Sequence, residues 1–209
     1  MAETDLHRRL KRQACAWLWE NGYAAIAEEV AVPGVGIIDA AAAGKWRRPN
    51  PYRASFEREP AVDRHHVVFV ECKAMRSDFL RDQGHQQQFA FALTERAGNL
   101  GRRKKRRPRH ASAALGKFDT CLIRPHANLH YVLTPPKMLQ VSEVPRRWGW
   151  LVLVDGRVRV VRKAVWQEVA DVSGVEGSIA RALTAQSMAE STRDVERKVA
   201  PSYFGALLG

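Results

Sequence analysis

The chain has 209 residues, and its 34 Lys and Arg against 22 Asp and Glu give a formal net charge of +12 at pH 7. Its composition, 45% hydrophobic and 27% charged, excludes wholesale disorder and is typical of a globular protein with a buried core. We expect neither secretion nor a membrane span, because the N-terminus lacks an apolar signal core and no run of about 18 apolar residues occurs.

The cysteines point to a reducing compartment. Cys15, Cys72 and Cys121 are isolated, odd in number and without Cys-x-x-Cys spacing. This pattern argues against a zinc site or a disulfide framework. We therefore expect a cytoplasmic protein.

The first predicted element is a helix over residues 4–21. Its apolar residues recur at helical spacing, and Gly22 follows where a helix would stop. Either Thr4 or Asp5 could cap it. That choice decides whether Glu3 lies outside the helix or in its first turn.

Three strands are predicted next. Residues 24–32 and 37–43 flank a Pro-Gly turn, and residues 66–73 form the third strand. The polar, arginine-rich segment 44–64 between the second and third strands is predicted to be an insertion loop.

The second half is predicted to contain both element types. A helix begins near Ser77 or Asp78 and runs toward Ala97, and strands cover 118–123 and 129–133. A hairpin of 150–154 and 157–161 surrounds Asp155-Gly156, a strong turn signal. The last predicted helix covers 178–199.

These elements predict one α/β domain over residues 1–170, with insertions at 44–64 and 98–114, and a C-terminal helical appendage over 171–209. Because helices and strands alternate along the chain, we expect an α/β architecture.

The third strand carries an unusual pair of charges. Glu71 and Lys73 alternate with apolar residues, so both lie on the same face as Val67 and Phe69. Desolvating a charge is costly unless it is paired or ligates a metal, so folding alone would favour aliphatic residues here. The alternative interpretation is a solvated ion pair on the sheet surface.

Seven basic residues are concentrated in one short run. They account for more than half of the net charge, and such a run is typical either of a solvated loop or of an arm that binds phosphate backbones. We predict that they contact nucleic acid: Arg102, Arg103, Lys104, Lys105, Arg106, Arg107 and Arg109.

Asp39 on the second strand, followed by Glu71-Cys72-Lys73 on the third, resembles the motif of the PD-(D/E)XK nuclease superfamily. The resemblance implies a restriction-endonuclease-like α/β core, with a mixed central sheet flanked by helices. Over roughly residues 3–165 the chain is similar to the MmcB-type group of bacterial DNA repair proteins. This similarity depends on Glu71-Cys72-Lys73, on Asp78-Phe79, on Trp148-Gly149 and on the ending 160–164. Met75 departs from the group, which typically has Ser at that position.

Phosphodiester hydrolysis needs an activated water and neutralisation of the charge that builds on the phosphoryl oxygens, and Mg²⁺ or Mn²⁺ supplies both. Asp39 and Glu71 are the predicted carboxylate ligands, and the resemblance implies the Cys72 carbonyl as a third. Lys73 would orient the water or stabilise developing charge. Either Glu3 or Glu29 is a candidate for an additional ligand.

The leading hypothesis is a metal-dependent nuclease, or a nuclease-like DNA repair factor, acting on DNA through Asp39, Glu71 and Lys73. A second hypothesis is a catalytically inactive nucleic-acid-binding module with the same fold. A third is a scaffold for a repair or replication protein that docks on the C-terminal helix. The sequence leaves open whether the nucleic acid is DNA or RNA and what the oligomeric state is. Because two carboxylates facing one pocket repel, we expect Asp39→Asn without metal to be neutral or stabilising.

Overall fold

The computed structural model describes residues 3–46, 64–83, 116–169 and 172–204. Within these ranges six strands form one sheet, in the spatial order in which they occur along the chain. The strands are β1 (Ala25–Val32), β2 (Gly36–Trp46), β3 (Arg64–Cys72), β4 (Leu129–Thr134), β5 (Gly149–Val154) and β6 (Arg157–Arg162). The helices are α1 (Asp5–Glu20), α2 (Arg76–Asp82), α3 (Lys117–Ile123) and α4 (Ser173–Phe204), with a 3-10 turn at Val141–Glu143.

The sheet is mixed, as predicted. β1, β2 and β3 form an antiparallel meander, β3, β4 and β5 are parallel, and β6 returns antiparallel to β5. Parallel neighbours need a long crossover, and α2 and α3 lie in the crossover between β3 and β4. The carboxyl ends of the three parallel strands therefore meet at one edge of the sheet.

Helix α1 covers one face of the sheet. The Thr4 side chain caps it by accepting a hydrogen bond from the His7 backbone N–H at 3.2 Å, so Glu3 lies outside the helix. Leu10, Ala14 and Leu18 are fully buried against residues of β2 to β5. The predicted helix is confirmed, because its apolar spacing matches the face that the sheet covers.

The opposite face is covered by α4 over β1 to β3 and by α2 and α3 over β4 and β5. The prediction of a strand over 118–123 is wrong, since this segment belongs to α3. Phe118 and Cys121, three residues apart, are both fully buried, and that spacing puts them on one helical face. A short apolar run has no periodicity that separates strand from helix, which explains the error.

Helix α4 begins at Ser173, earlier than the predicted start at residue 178. Its first turns pack Val175 and Ile179 beside Phe69 of β3. The division into a 1–170 domain and a 171–209 appendage stays a prediction. None of the helices within the described ranges has the length and apolar character needed to cross a bilayer.

Two predicted boundaries move. Strand β2 continues to Trp46 and β3 begins at Arg64, so both ends of the predicted insertion loop 44–64 pair in the sheet. Residues 47–63 lie outside the described residues. Helix α2 starts at Arg76 and is described as far as Asp82. The rest of the predicted helix and the predicted insertion 98–114 lie outside the described part of the chain.

The β5–β6 hairpin is confirmed. Asp155 and Gly156 both have positive φ, 50° and 76°, as a two-residue type I′ turn requires. Gly149 at the start of β5 has a different role. A Cβ there would lie 2.2 Å from the Tyr131 ring, so only glycine allows β4 and β5 to pair at this level.

Candidate active site at the end of strand β3

The candidate site lies where β2 and β3 separate. Their ladder runs from the pair Trp46 and Arg64 to the pair Ala40 and Val70, and it stops there. The next two residues would be Asp39 and Glu71. Instead of a ladder bond, the Asp39 carboxylate Oδ2 accepts the Cys72 backbone N–H at 2.8 Å. An acidic side chain thus takes the place of a backbone acceptor at this point.

The neighbouring strand is distorted at the same level. Glu29 in β1 has φ of 53°, and the residue pairs on either side of it are Glu28 with Ala40 and Val30 with Ile38. Left-handed backbone at a residue other than glycine costs free energy and is rare inside a strand. The strained position is therefore the one opposite Asp39.

Glu71 is the most deeply buried acid of the site, with 1% of its surface exposed. Its Oε1 accepts from Lys73 Nζ at 2.8 Å and from Lys117 Nζ at 2.6 Å. Its Oε2 is buried, and no described residue donates a hydrogen bond to it. Burial raises the pKa of Glu71, repulsion by Asp39 raises it further, and the two ammonium groups oppose both effects.

Lys73 binds two acids. Besides Glu71, its Nζ contacts Asp82 Oδ2 of α2 at 2.6 Å. Burial lowers the pKa of Lys73, but the Glu71 and Asp82 carboxylates outweigh burial, and the pKa is raised above its ordinary value. Lys73 is therefore an ammonium at neutral pH, suited to stabilising negative charge rather than to accepting a proton.

Asp39 behaves differently from Glu71. Burial would raise its pKa, but contact with His7 and the Cys72 N–H outweigh burial, and the pKa is lowered. His7 Nε2 lies 3.3 Å from Asp39 Oδ1, an ion-pair distance at which the contact does not meet hydrogen-bond geometry. The ionised form of Asp39 is thus favoured, so we expect Asp39→Asn to be destabilising, the opposite of the sequence-based expectation.

The two other acidic candidates bind a different lysine. Lys11 of α1, itself buried, contacts Glu3 and Glu29 at 2.6 Å each. Burial lowers the pKa of Lys11, but the hydrogen bonds that its ammonium donates to Glu29 and Glu3 outweigh burial and raise the pKa. Glu3 also lies 3.8 Å from His7, which links it indirectly to Asp39. A metal-ligand role for Glu3 or Glu29 stays a prediction.

The structure thus brings Asp39, Glu71 and Lys73 together, with the Cys72 N–H bound to Asp39. It adds three residues that no sequence pattern singled out: His7, Asp82 and Lys117. Asp82 and Lys117 come from the crossover between β3 and β4, and nothing in their local sequence shows that this crossover returns to Glu71. The Cys72 thiol is buried, and burial raises its pKa well above the ordinary value.

Two further predictions, the metal site and the basic run, are not decided by the described residues. Among the side chains that are described, no cluster of three or more His, Cys, Asp or Glu has the arrangement of a metal site. A cation would therefore need backbone carbonyl ligands as well as Asp39 and Glu71. The seven basic residues between positions 102 and 109 lie outside the described residues.

The chain matches no protein-family model, and no curated protein matches it. It is similar in structure to a protein of unknown function from Silicibacter pomeroyi. The similarity has a TM-score of 0.50 and 18% sequence identity, and it covers 93% of this chain and 96% of the other. The likeness concerns the fold of nearly the whole chain.

Proposed function

We propose that this protein is a metal-dependent nuclease, or a nuclease-like DNA repair factor, built on a restriction-endonuclease-like core. The observation that carries the proposal is the Glu71 carboxylate: it is buried, repelled by Asp39, and has one oxygen without a described hydrogen-bond donor. A sheet needs no acid at this position for folding. Its presence there is explained if a ligand binds the oxygen that no described donor reaches.

The oxygen donors suit a hard divalent cation. Asp39 and Glu71 would hold Mg²⁺ or Mn²⁺ together with the Cys72 carbonyl, since such cations prefer carboxylate and carbonyl oxygens. When bound, the cation would neutralise charge on the phosphoryl oxygens and lower the pKa of water. The unpartnered Glu71 Oε2 fits such a site, because a buried carboxylate oxygen otherwise loses its solvation without compensation.

The protein's own contribution to hydrolysis is placement of charge. A water oxygen would bond to phosphorus, the bond to one bridging ester oxygen would break, and the water proton would pass to solvent or the leaving oxygen. Lys73, fixed between Glu71 and Asp82, would stabilise the charge that develops on the phosphoryl group. Because Lys73 remains protonated, it is not the base that removes the water proton.

An exposed basic surface supports DNA as the substrate. Arg8, Arg9 and Arg12 are exposed on α1, the helix that brings His7 to Asp39. Arginine side chains at such a surface contact phosphates without reading sequence. They add to the predicted contacts of the basic run and would lead a nucleic-acid backbone toward Asp39.

The test is cleavage of branched, nicked and single-stranded DNA by the purified chain, with Mg²⁺ and with EDTA. We expect Mg²⁺-dependent cleavage that falls about 10²–10³-fold or more in Asp39→Ala and in Lys73→Ala. Arg146→Ala, at an exposed position far along the chain from both strands, is the control and should retain activity. Full activity in both site variants would refute the proposed roles.

A second candidate is the catalytically inactive nucleic-acid-binding module. One observation favours it: Lys73 and Lys117 already neutralise Glu71, as ammonium groups do where no cation is needed. The two candidates differ in metal binding. Calorimetry that detects DNA binding indifferent to Mg²⁺ and Mn²⁺, with no cation bound, would favour the inactive module.

A further inference from the structure

Lys117 is the least expected residue of the site. It is the first residue of α3, and its Nζ donates to Glu71 Oε1 at 2.6 Å and to the Ile37 backbone carbonyl at 2.7 Å. The Lys117 ammonium is therefore bound by a buried carboxylate and by a main-chain carbonyl at the start of β2. These are the types of oxygen that a hard divalent cation takes.

The position is electrostatically crowded. Lys73 Nζ lies 2.8 Å from the same Glu71 oxygen, so two ammonium groups share one acceptor. Like charges this close repel, and each is held only because the carboxylate attracts both. Lys73 has a second acid, Asp82, whereas the other described partner of Lys117 is the neutral Ile37 carbonyl. Of the two lysines, Lys117 is thus the one that can dissociate from Glu71 more easily.

The surroundings let Lys117 leave. Its side chain is 18% exposed, twice the 9% of Lys73, and it projects from the end of a seven-residue helix. A long flexible lysine can move its charge into water at little cost. Lys73 is confined between α2 and β3 and would remain.

We propose that the Lys117 ammonium occupies the position of a divalent cation at Glu71, and that binding of the cation displaces it. The inference extends the proposed function, on which it rests, by naming the residue that competes with the metal. A dication that binds the Glu71 carboxylate through Oε2, or through both oxygens, would strongly repel an ammonium that stays at Oε1. Lys117 therefore weakens cation binding while it stabilises the metal-free protein.

The experiment compares Mn²⁺ binding to the wild type and to Lys117→Met, by calorimetry and by the electron paramagnetic resonance signal of free Mn²⁺. We expect the variant to bind about tenfold more tightly or better, because methionine keeps the length of the side chain and removes its charge. Its melting temperature without metal should be lower than that of the wild type. Its gain in melting temperature on adding Mn²⁺ should be larger.

Two further variants make the result specific. Lys117→Gln retains a hydrogen-bond donor for the Ile37 carbonyl, and it should also bind Mn²⁺ more tightly if the methionine variant folds poorly. Lys163→Met removes one exposed charge just after β6, three strands away from β3 in the sheet, and should leave Mn²⁺ affinity unchanged. Circular dichroism of each variant checks that it is folded.

The outcomes separate the two proposals. Unchanged or weaker Mn²⁺ binding in both folded Lys117 variants would overturn the displacement while leaving a metal-dependent nuclease intact. If neither the wild type nor the variants bind Mn²⁺, the proposed function fails together with the inference. If only the variants bind it, the displacement stands and the inactive module becomes the better description of the natural chain.

Discussion

Two buried lysines of this protein, Lys11 and Lys73, each contact two carboxylates. The lysines are buried to a similar extent, but their acidic partners differ in exposure. Lys11 and Lys73 are 4% and 7% exposed, so their burial does not distinguish them. The partners of Lys11 are the half-exposed Glu3 and the exposed Glu29, with side chains 32% and 62% accessible. Glu71, the main partner of Lys73, is 2% accessible.

This difference separates an anchor from a candidate site. The partners of Lys11 stay in contact with water, so the network can join α1 to β1 without a large desolvation cost. Glu71 has lost its hydration and retains an oxygen with no described donor. A buried acid with an oxygen that no hydrogen-bond donor reaches is costly to maintain, and such groups occur most often at functional sites.

The largest effect should separate the two lysines. We expect Lys73→Met to lower the free energy of unfolding by about 3 kcal/mol, because it leaves Glu71 buried with less compensation. Lys11→Met should cost about 1 kcal/mol or less, since its exposed partners return to water. Urea unfolding of both variants without metal measures the difference. Equal losses would remove the distinction between anchor and site.

The pH dependence of stability should separate the two acids of the site. The lowered pKa of Asp39 stabilises the fold above its ordinary value of 3.8 and is lost as pH falls through the folded-state pKa. Asp39→Asn should therefore cost more stability at pH 7 than at pH 3. The opposite holds for Glu71, whose raised pKa penalises the fold increasingly as pH rises above 4.5.

The stability of Glu71→Gln relative to the wild type should accordingly be higher at pH 7 than at pH 4. Chemical denaturation across this range, without metal, gives both slopes. The same sign of slope for the two variants would contradict the assignment of Asp39 as the stabilised and Glu71 as the destabilised carboxylate.

The outward face of α1 should affect nucleic-acid binding rather than stability. Replacing Arg8, Arg9 and Arg12 by Gln should reduce the slope of log affinity for DNA against log salt concentration by up to about 3, one for each phosphate contact. Fluorescence anisotropy over a salt series measures it.

The matched control replaces three exposed cations outside α1, two shortly before β5 and one just after β6: Arg146, Arg147 and Lys163. It removes the same charge, so an equal loss of slope in both triple variants would mean that net charge, rather than the α1 surface, determines binding.

The smallest effect concerns the helix that carries Lys11 and His7. Thr4→Ala removes the cap of α1 and should cost about 1 kcal/mol. Thr184→Ala is the control: its hydroxyl bonds to the Ala180 carbonyl within α4, and removing such a bond should be close to neutral. Thermal melts monitored by circular dichroism compare them. A neutral Thr4→Ala would show that tertiary contacts alone hold the start of α1.

Local patterns predicted much of the fold. The meander, α1 and the β5–β6 hairpin follow from hydrophobic periodicity and from Asp155-Gly156, because both signals act within a few residues. The prediction failed at α3, because a segment of six residues is too short to show whether its apolar residues follow a helical or a strand period. The early start of α4 was missed because Val175 and Ile179 are buried by packing beside Phe69, a contact that the local sequence does not reveal.

The sequence by itself determined that Glu71 and Lys73 lie on one face of a strand, because side chains alternate with a period of two. Only the tertiary structure decided which groups meet them. The separation of β2 from β3 brings Asp39 to the Cys72 N–H, and the crossover returns Lys117 and Asp82 to the same point. These contacts join residues from 9 to 46 positions apart, and no local period carries information over such distances.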